Sequence, residues 1–260
     1  MSSFPLFVFI FASQKNDDLK KEVKPYQQEG SKKEQVSQMF DNIAPKYDAL
    51  NRTLSLGIDK LWRKRAIKIL KTYNPSKILD VATGTADVAL AISSNIENSH
   101  ITGVDISKEM LEYGKVKVKN QDKSERIELQ QGDSENLQFE KETFDAVTVA
   151  FGVRNFENLE KGLAEMLRVT KSGGCVLILE FSRPHTFPFK QLFQFYFKNI
   201  LPLIGKMGSK DPKAYKYLFE SVQAFPEGKQ FLEILRNLGY KNVRQEELSF
   251  GICSIYVGEK

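Results

Sequence analysis

Between residues 77 and 180 the chain alternates short apolar runs with helical stretches. A helix placed between two strands forces a crossover, and repeated crossovers produce parallel strands with helices packed on both faces. The runs Lys77–Ala82, His100–Asp105, Ile127–Gln131, Phe144–Ala150 and Cys175–Glu180 predict five strands. Asp87–Ser94, Ser107–Lys119 and Leu159–Thr170 predict helices, with Ser107 as an N-cap. Ser172-Gly173-Gly174 reads as a turn, and Gly228–Asn237 as a further helix. Val243–Leu248 and Ile252–Val257 flank Phe250-Gly251, a closing hairpin. The expected fold class is α/β: a doubly wound, mostly parallel sheet with a terminal antiparallel hairpin.

Before the sheet, Lys33–Phe40, Ala44–Thr53 and Asp59–Thr72 predict helices, the last stopped by Asn74-Pro75. Residues 33–72 form a helical cover, and residues 1–32 a mobile extension to a single domain spanning 33–260. The apolar run Phe4–Ala12 has nine residues, too few to span a bilayer, and no Lys or Arg precedes it as in a signal peptide. Cys175 and Cys253 are the two cysteines, which excludes a disulfide scaffold and favours a reducing compartment. His100 and His185 lack ligand-like spacing, so no metal site is expected.

Charge is unevenly placed. Arg183–Phe219 holds seven basic residues against Asp211, and nine of the 29 aromatics, while the remainder is near neutral. Phe189, Leu192, Phe193, Tyr196, Phe197 and Ile200 fall on one helical face. This basic, aromatic insert (183–222) fits core packing, a lid over an apolar substrate, or a helix resting on anionic lipid.

Ligands of open α/β sheets bind beyond the carboxyl ends of the strands. The first strand ends Asp80-Val81-Ala82-Thr83-Gly84-Thr85-Ala86-Asp87, with a single glycine where a dinucleotide turn uses three. Asp87 opens the following helix, where a phosphate would sit, and its charge would repel one. A nucleoside without phosphates suits this turn better. Asp105 ends the second strand 21 residues after Gly84, a spacing that suits a ribose diol. Asp133-Ser134 follows the third strand, where Asp133 can accept from an exocyclic amine of adenine.

Acids at three successive strand ends resemble the class I S-adenosylmethionine-dependent methyltransferases, whose Rossmann-like sheet this would be. Two longer stretches narrow the likeness: Met39-Phe40-Asp41-Asn42-Ile43-Ala44-Pro45-Lys46-Tyr47-Asp48, continuing to Trp62-Arg63, and Arg168 through Gly174 to Leu179-Glu180-Phe181-Ser182. With Phe151-Gly152-Val153-Arg154-Asn155 and Tyr217 to Pro226, they resemble the ubiquinone/menaquinone biosynthesis C-methyltransferases over residues 33–258. Departures are Ala82 and Ala86 where the class I methyltransferases usually have glycines, Asp59 where the narrower family often has His, and Thr170 and Ser172 where it has an aliphatic residue and proline.

The resemblance implies S-adenosyl-L-methionine as methyl donor, held by Asp80, Gly84, Thr85, Asp105, Asp133 and Ser134. It implies a prenylated naphthoquinol as acceptor, 2-demethylmenaquinol going to menaquinol, with dual use of a methoxybenzoquinol, or C-methylation of another small molecule, as the alternatives. A ring carbon becomes nucleophilic once a neighbouring hydroxyl loses its proton, so the site needs a base and a stabiliser for the oxyanion. Arg154 would stabilise the phenolate and Asn155 position the hydroxyl or a water, with Asp48 and Tyr47 as candidate bases. The expected setting is cytoplasmic and peripheral, with residues 183–219 touching the membrane surface. A nucleic-acid partner is disfavoured by the near-neutral remainder. A homo-oligomer is compatible with the reading, and a catalytically dead cofactor-binding scaffold is the alternative of another class.

Overall fold

The computed structural model describes residues 23–26, 28–200 and 211–260. The apolar run Phe4–Ala12, most of the lead-in, Lys206 and Lys210 lie outside these residues.

Seven strands form one sheet in the order β3-β2-β1-β4-β5-β7-β6. They are β1 (Lys77–Val81), β2 (His100–Asp105), β3 (Ile127–Gln131), β4 (Phe144–Ala150), β5 (Thr170–Phe181), β6 (Lys241–Leu248) and β7 (Cys253–Glu259). The first five pair in parallel, while β7 runs antiparallel to both β5 and β6, as the hairpin predicts. Strand order reverses between β1 and β4, so the two ligand-facing turns after those strands diverge and leave a crevice.

Alternation along each strand sorts side chains between two cores. Ile78, Ala146, Leu177 and Ile255 face one way, against α3 (Asp59–Lys71) and α4 (Asp87–Asn95). Leu79, Val147, Ile178 and Tyr256 face the other, against α6 (Leu159–Val169) and α9 (Lys229–Asn237). Cys175 and Cys253 are buried free thiols in the first core, and burial pushes the Cys175 pKa up to about 12.

Ser172-Gly173-Gly174 is not a turn. The chain carries β5 straight through it as a bulge, where pairing jumps from Phe144↔Thr170 to Ala146↔Cys175. Gly173 has φ 80°, and a Cβ on Gly174 would lie 2.5 Å from the carbonyl oxygen of Asp145. The glycines permit a bulge that local propensity alone reads as a reversal.

The N-terminal cover consists of α1 (Lys32–Ile43), α2 (Tyr47–Leu54) and α3, with α5 (Lys108–Asn120) beneath α1. Ser31 and Glu34 form a capping box that starts α1. Part of the expected mobile lead-in is packed: Tyr26 is buried with Val36, Met39, Ala214 and Tyr217, and its hydroxyl bonds Asp211. Asp211 caps α8 (Pro212–Ala224), so this contact ties the lead-in to the far side of the insert.

The insert's single predicted helix is interrupted. The segment α7 (Phe189–Phe195) passes into a π-turn over Tyr196–Ile200. Of the predicted stripe, Phe193 and Phe197 are buried while Leu192 is exposed, as is Phe195, which lies off the stripe.

Candidate active site

The β1–α4 turn is held from three sides. Thr83 N–H donates to the Val104 carbonyl (3.0 Å), and Gly84 N–H to Asp105 Oδ2 (2.8 Å). Asp105 Oδ1 accepts from Ser107 N–H at 2.8 Å. Beneath the turn, Asp80 accepts from the hydroxyls of Thr83 (2.6 Å) and Thr148 (2.8 Å). Ala82 and Ala86 adopt left-handed conformations, φ 52° and 64°, so the turn keeps a glycine-like path at the expense of backbone strain.

Burial pushes the Asp80 and Asp105 carboxyls up to about 6 each, against hydrogen bonds that pull them down. Asp41 adds to the rise at Asp105. Asp133 follows β3; its Oδ1 accepts from Glu135 N–H (2.9 Å), and its Oδ2 lies 2.7 Å from Lys33 Nζ of α1. Lys33 also reaches buried Glu135 at 3.2 Å.

Gly84, Asp105, Asp133, Ser134 and Asn155 therefore line one cavity of about 70 Å³, with α1 across it. Two other predicted binding residues do not face it. Asp80 braces the turn from below, and the Thr85 hydroxyl turns away to donate to Asp48 Oδ1 at 2.6 Å. Asp48 lines neither this cavity nor the next, because Thr85 and Lys117 (2.8 Å) hold it on the outer side of the turn. It is poorly placed as a base.

The argument from Asp87 also changes. Lys117 and Arg63 (3.2 Å) pair with it, so its charge is compensated. What disfavours a phosphate here is Asp105, which already occupies the Gly84 N–H that would cradle one. Asp59, Arg63, Asp87, Lys117, Asp48 and Thr85 thus form one alternating polar chain along the cover.

A second cavity, of about 560 Å³, adjoins the first. Phe40, Tyr47, Phe151 and Asn155 line both, so they are the wall between them. The remainder of the large cavity is mostly aliphatic and aromatic, including Phe193, Tyr196 and Leu218 of the insert. Burial raises the pKa of the Tyr47 phenol, so near neutrality Tyr47 donates a hydrogen bond rather than taking up a proton.

Arg154 and Asn155 stand in the 3₁₀ turn after β4, at this wall. Arg154 Nη1 donates to the Phe151 carbonyl (2.5 Å) and to Glu180 Oε1 (2.8 Å), and Glu180 is fully buried. Its guanidinium carbon lies 5.5 Å over the Phe181 ring. Yet Arg154 Nε and Asn155 Oδ1 are buried without a hydrogen-bond partner. An orphan donor beside an orphan acceptor is costly unless a ligand completes it. Lys33, Lys117 and Glu180 are absent from the predicted site. Only Glu180 left a signal, as an acid ending an otherwise apolar strand.

The donor set suits a nucleoside sulfonium. Asp105 has lone pairs left for a ribose diol, Asp133 can accept from an amine, and the acidic cavity favours positive charge.

Residues 28–260 match the ubiE/COQ5 methyltransferase family. The chain is 48% identical over 238 residues to a Bacteroides fragilis protein named demethylmenaquinone methyltransferase, covering 92% of this chain and 97% of that one. A Geotalea daltonii protein named ubiquinone/menaquinone biosynthesis C-methyltransferase UbiE is 48% identical over 230 residues, 88% of this chain and 97% of that one. Among solved structures, the [4+2]-cyclase SpnF is similar with TM-score 0.65 at 16% identity, over 88% of this chain and 96% of that one. An S-adenosylmethionine-dependent methyltransferase from Aquifex aeolicus gives TM-score 0.53 at 19% identity, over 74% and 88%. These last two are likenesses of fold alone.

Proposed function

The chain belongs to the ubiE/COQ5 methyltransferase family, and from that premise we propose that it methylates a ring carbon of 2-demethylmenaquinol to give menaquinol. The family implies S-adenosylmethionine as co-substrate. The Bacteroides relative's name supports the naphthoquinol. The Geotalea relative's name favours a second reading, in which a methoxybenzoquinol is also accepted.

The observation that carries the proposal is the wall. Asn155, with its orphan Oδ1, lies between an acidic cavity and a large apolar one, and Arg154, with its orphan Nε–H, stands next to it on the apolar side. In this reading S-adenosylmethionine supplies the electrophilic methyl. Asp105 holds the ribose, Asp133 and Ser134 the adenine, and Gly84 lets the donor approach the backbone. Asp80 and Thr85 act on the turn rather than on the ligand. Arg154 donates from Nε to the phenolate oxygen as charge grows there, and Asn155 Oδ1 accepts from a hydroxyl of the ring. Arginine keeps its proton, so its contribution is electrostatic.

The test offers methyl-labelled S-adenosylmethionine with reduced demethylmenaquinone, with the methoxybenzoquinol and with bulk RNA in separate tubes. Label on the naphthoquinol alone supports the first reading, and label on both quinols the second. Label on neither, with S-adenosylmethionine still bound, would overturn both. Arg154→Ala turnover within twofold of wild type would remove Arg154 from the mechanism.

The membrane contact expected of residues 183–219 belongs to the same proposal. No helix among the described residues is long and apolar enough to cross a membrane. Nine large apolar side chains are exposed among the described residues. Seven of them fall on two neighbouring segments, Leu56, Ile58 and Leu61 at the α2–α3 corner and Phe187, Leu192, Phe195 and Phe250 beside the insert. Leu56, Ile58, Leu192 and Phe195 also line the large cavity, so its mouth opens among them. Arg52, Lys60, Lys190 and Lys198 are exposed nearby, and Asp59, the acid of the corner, is buried. Exposed apolar groups ringed by cations favour an anionic bilayer, from which a prenyl chain could pass directly into the cavity. Leu61→Ser with Phe250→Ser, neither of which lines the cavity, should weaken binding to phosphatidylglycerol vesicles about tenfold, leaving turnover of a short-chain quinol unchanged. Unchanged vesicle binding would break this part of the reading.

A further inference from the structure

The chemistry proposed above needs a group that removes the quinol's hydroxyl proton, and neither of the predicted candidates serves. Asp48 faces away from the large cavity, and the Tyr47 phenol is held protonated by burial. The other titratable groups lining that cavity narrow the choice. Tyr196, Tyr215 and Tyr217 are phenols, with an ordinary pKa near 10. Burial raises that of Tyr196 further. Arg63 and Arg154 are guanidiniums, which do not give up their protons. Among the described lining residues one carboxylate remains, Asp59 in the first turn of α3.

Its placement is specific. Asp59 is 6% exposed, where an unpaired carboxylate would be costly. Ser55 donates to its Oδ1 at 2.6 Å, and Arg63, one turn on, pairs with its Oδ2. Arg63 also pairs with Asp87 of α4, so it keeps a counter-charge when Asp59 is neutralised. Trp62 lies one turn beyond Asp59, and its ring packs 6.2 Å from Phe151 and 6.0 Å from Phe181. Arg154 touches the same two residues, at the Phe151 backbone carbonyl and over the face of the Phe181 ring. Asp59 and the Arg154–Asn155 wall therefore belong to one cavity, with the aromatic floor between them.

Resting on the quinol reading, we propose that Asp59 is the general base of the reaction. Its carboxylate takes the hydroxyl proton as the O–H bond breaks, and the oxygen's negative charge falls against Arg154. The electron pair gathered on the adjacent ring carbon forms the new carbon–carbon bond. The methyl–sulfur bond breaks, and its pair stays on sulfur. The ring carbon then loses its own hydrogen to solvent as a proton, aromaticity returns, and Asp59 gives its proton back to the oxygen. One proton is released per methyl transferred.

The test uses the full chain. Asp59→Asn keeps the shape and removes the base, so kcat should fall about 10²–10³-fold with KM changed less than threefold. Asp59→His restores a group that can accept a proton, and should recover turnover to within about tenfold of wild type. Its acid limb in the pH–rate profile should move upward, because imidazole titrates higher than a carboxylate. A second readout needs no turnover. A soluble naphthol bound in the cavity shows its ionised fraction in its absorption spectrum, and that fraction should drop in Asp59→Asn. S-adenosylhomocysteine binding reports that the variants are folded, and if Asp59→Asn is not, Asp59→His carries both readouts. Full kcat in Asp59→Asn, or an acid limb unmoved in Asp59→His, would overturn the proposal. Wild-type protein that methylates no quinol would instead overturn the reading on which it rests.

Discussion

The smaller cavity takes Gly84, Asp105, Asp133 and Ser134 from the ends of three adjacent strands, whereas the larger one takes its walls from segments between residue 39 and residue 252. In the first, each group is placed by its own strand and its neighbour: Asp105 by β2, Gly84 by the turn after β1, Asp133 by the turn after β3. In the second, no segment makes a surface alone. The cover, the 3₁₀ turn after β4, the insert and the β6–β7 connection must all dock before a cavity exists. A site set by the sheet should be rigid and sensitive to single polar atoms. A site set by packed segments should be sensitive to volume and tolerant of any one contact.

The strongest way to break that contrast is Asp105→Ala. It removes a buried acceptor from two backbone N–H groups as well as from the ribose. The dissociation constant of S-adenosylhomocysteine should rise on the order of 100-fold or more by calorimetry. A short-chain quinol should bind within threefold of wild type, and a large loss there would mean that the cavities are not independent.

The converse is Ile43→Trp, which fills part of the large cavity. The KM for a long-prenyl quinol should rise about tenfold, while S-adenosylhomocysteine binding stays unchanged. Equal loss in both assays would argue against separate construction.

A third comparison uses pH. Asp105 titrates near 6 in the folded chain, above its ordinary carboxylate value. It is charged above that pH, and a diol donates best to the charged form. Binding of S-adenosylhomocysteine should therefore be flat above about pH 7 and weaken by up to tenfold per unit below 6. A short-chain quinol should show no step at that pH, since Asp105 does not line its cavity.

The smallest effect sharpens the point about rigidity. Ala82 holds φ 52°. Ala82→Gly should relieve about 1 kcal/mol of strain, raising Tm by roughly 2–4 °C in a thermal melt. A fall in Tm would mean that the methyl's packing outweighs the strain.

The same contrast explains what the sequence made legible. The spans of β2 and β4 are readable because a central parallel strand is mostly buried along its length, and that of the edge strand β3 because Ile127 and Leu129 alternate with polar residues. Asp105 and Asp133 are readable because a strand end determines where they point. Asp80 and Thr85 share that turn, but which way each side chain faces depends on Thr148 and Asp48, 68 and 37 residues away. Lys33 meets Asp133 across 100 residues, and no local pattern announces it. The Gly173-Gly174 bulge is hidden because its partner is the carboxyl-terminal Lys260. Asp59 is hidden differently: at the start of a helix an acid looks like an ordinary favourable end residue, until the cavity beside it is seen.

The wall of Phe40, Tyr47, Phe151 and Asn155 has a consequence for handedness. Two molecules that meet through one partition must approach from its opposite sides, with the group that passes lying on the line between them. A carbon handed over along such a line has its three hydrogens swept to the other side. A methyl carrying all three hydrogen isotopes would therefore leave the protein as the mirror image of the one that entered, after one passage and with no stop on a side chain.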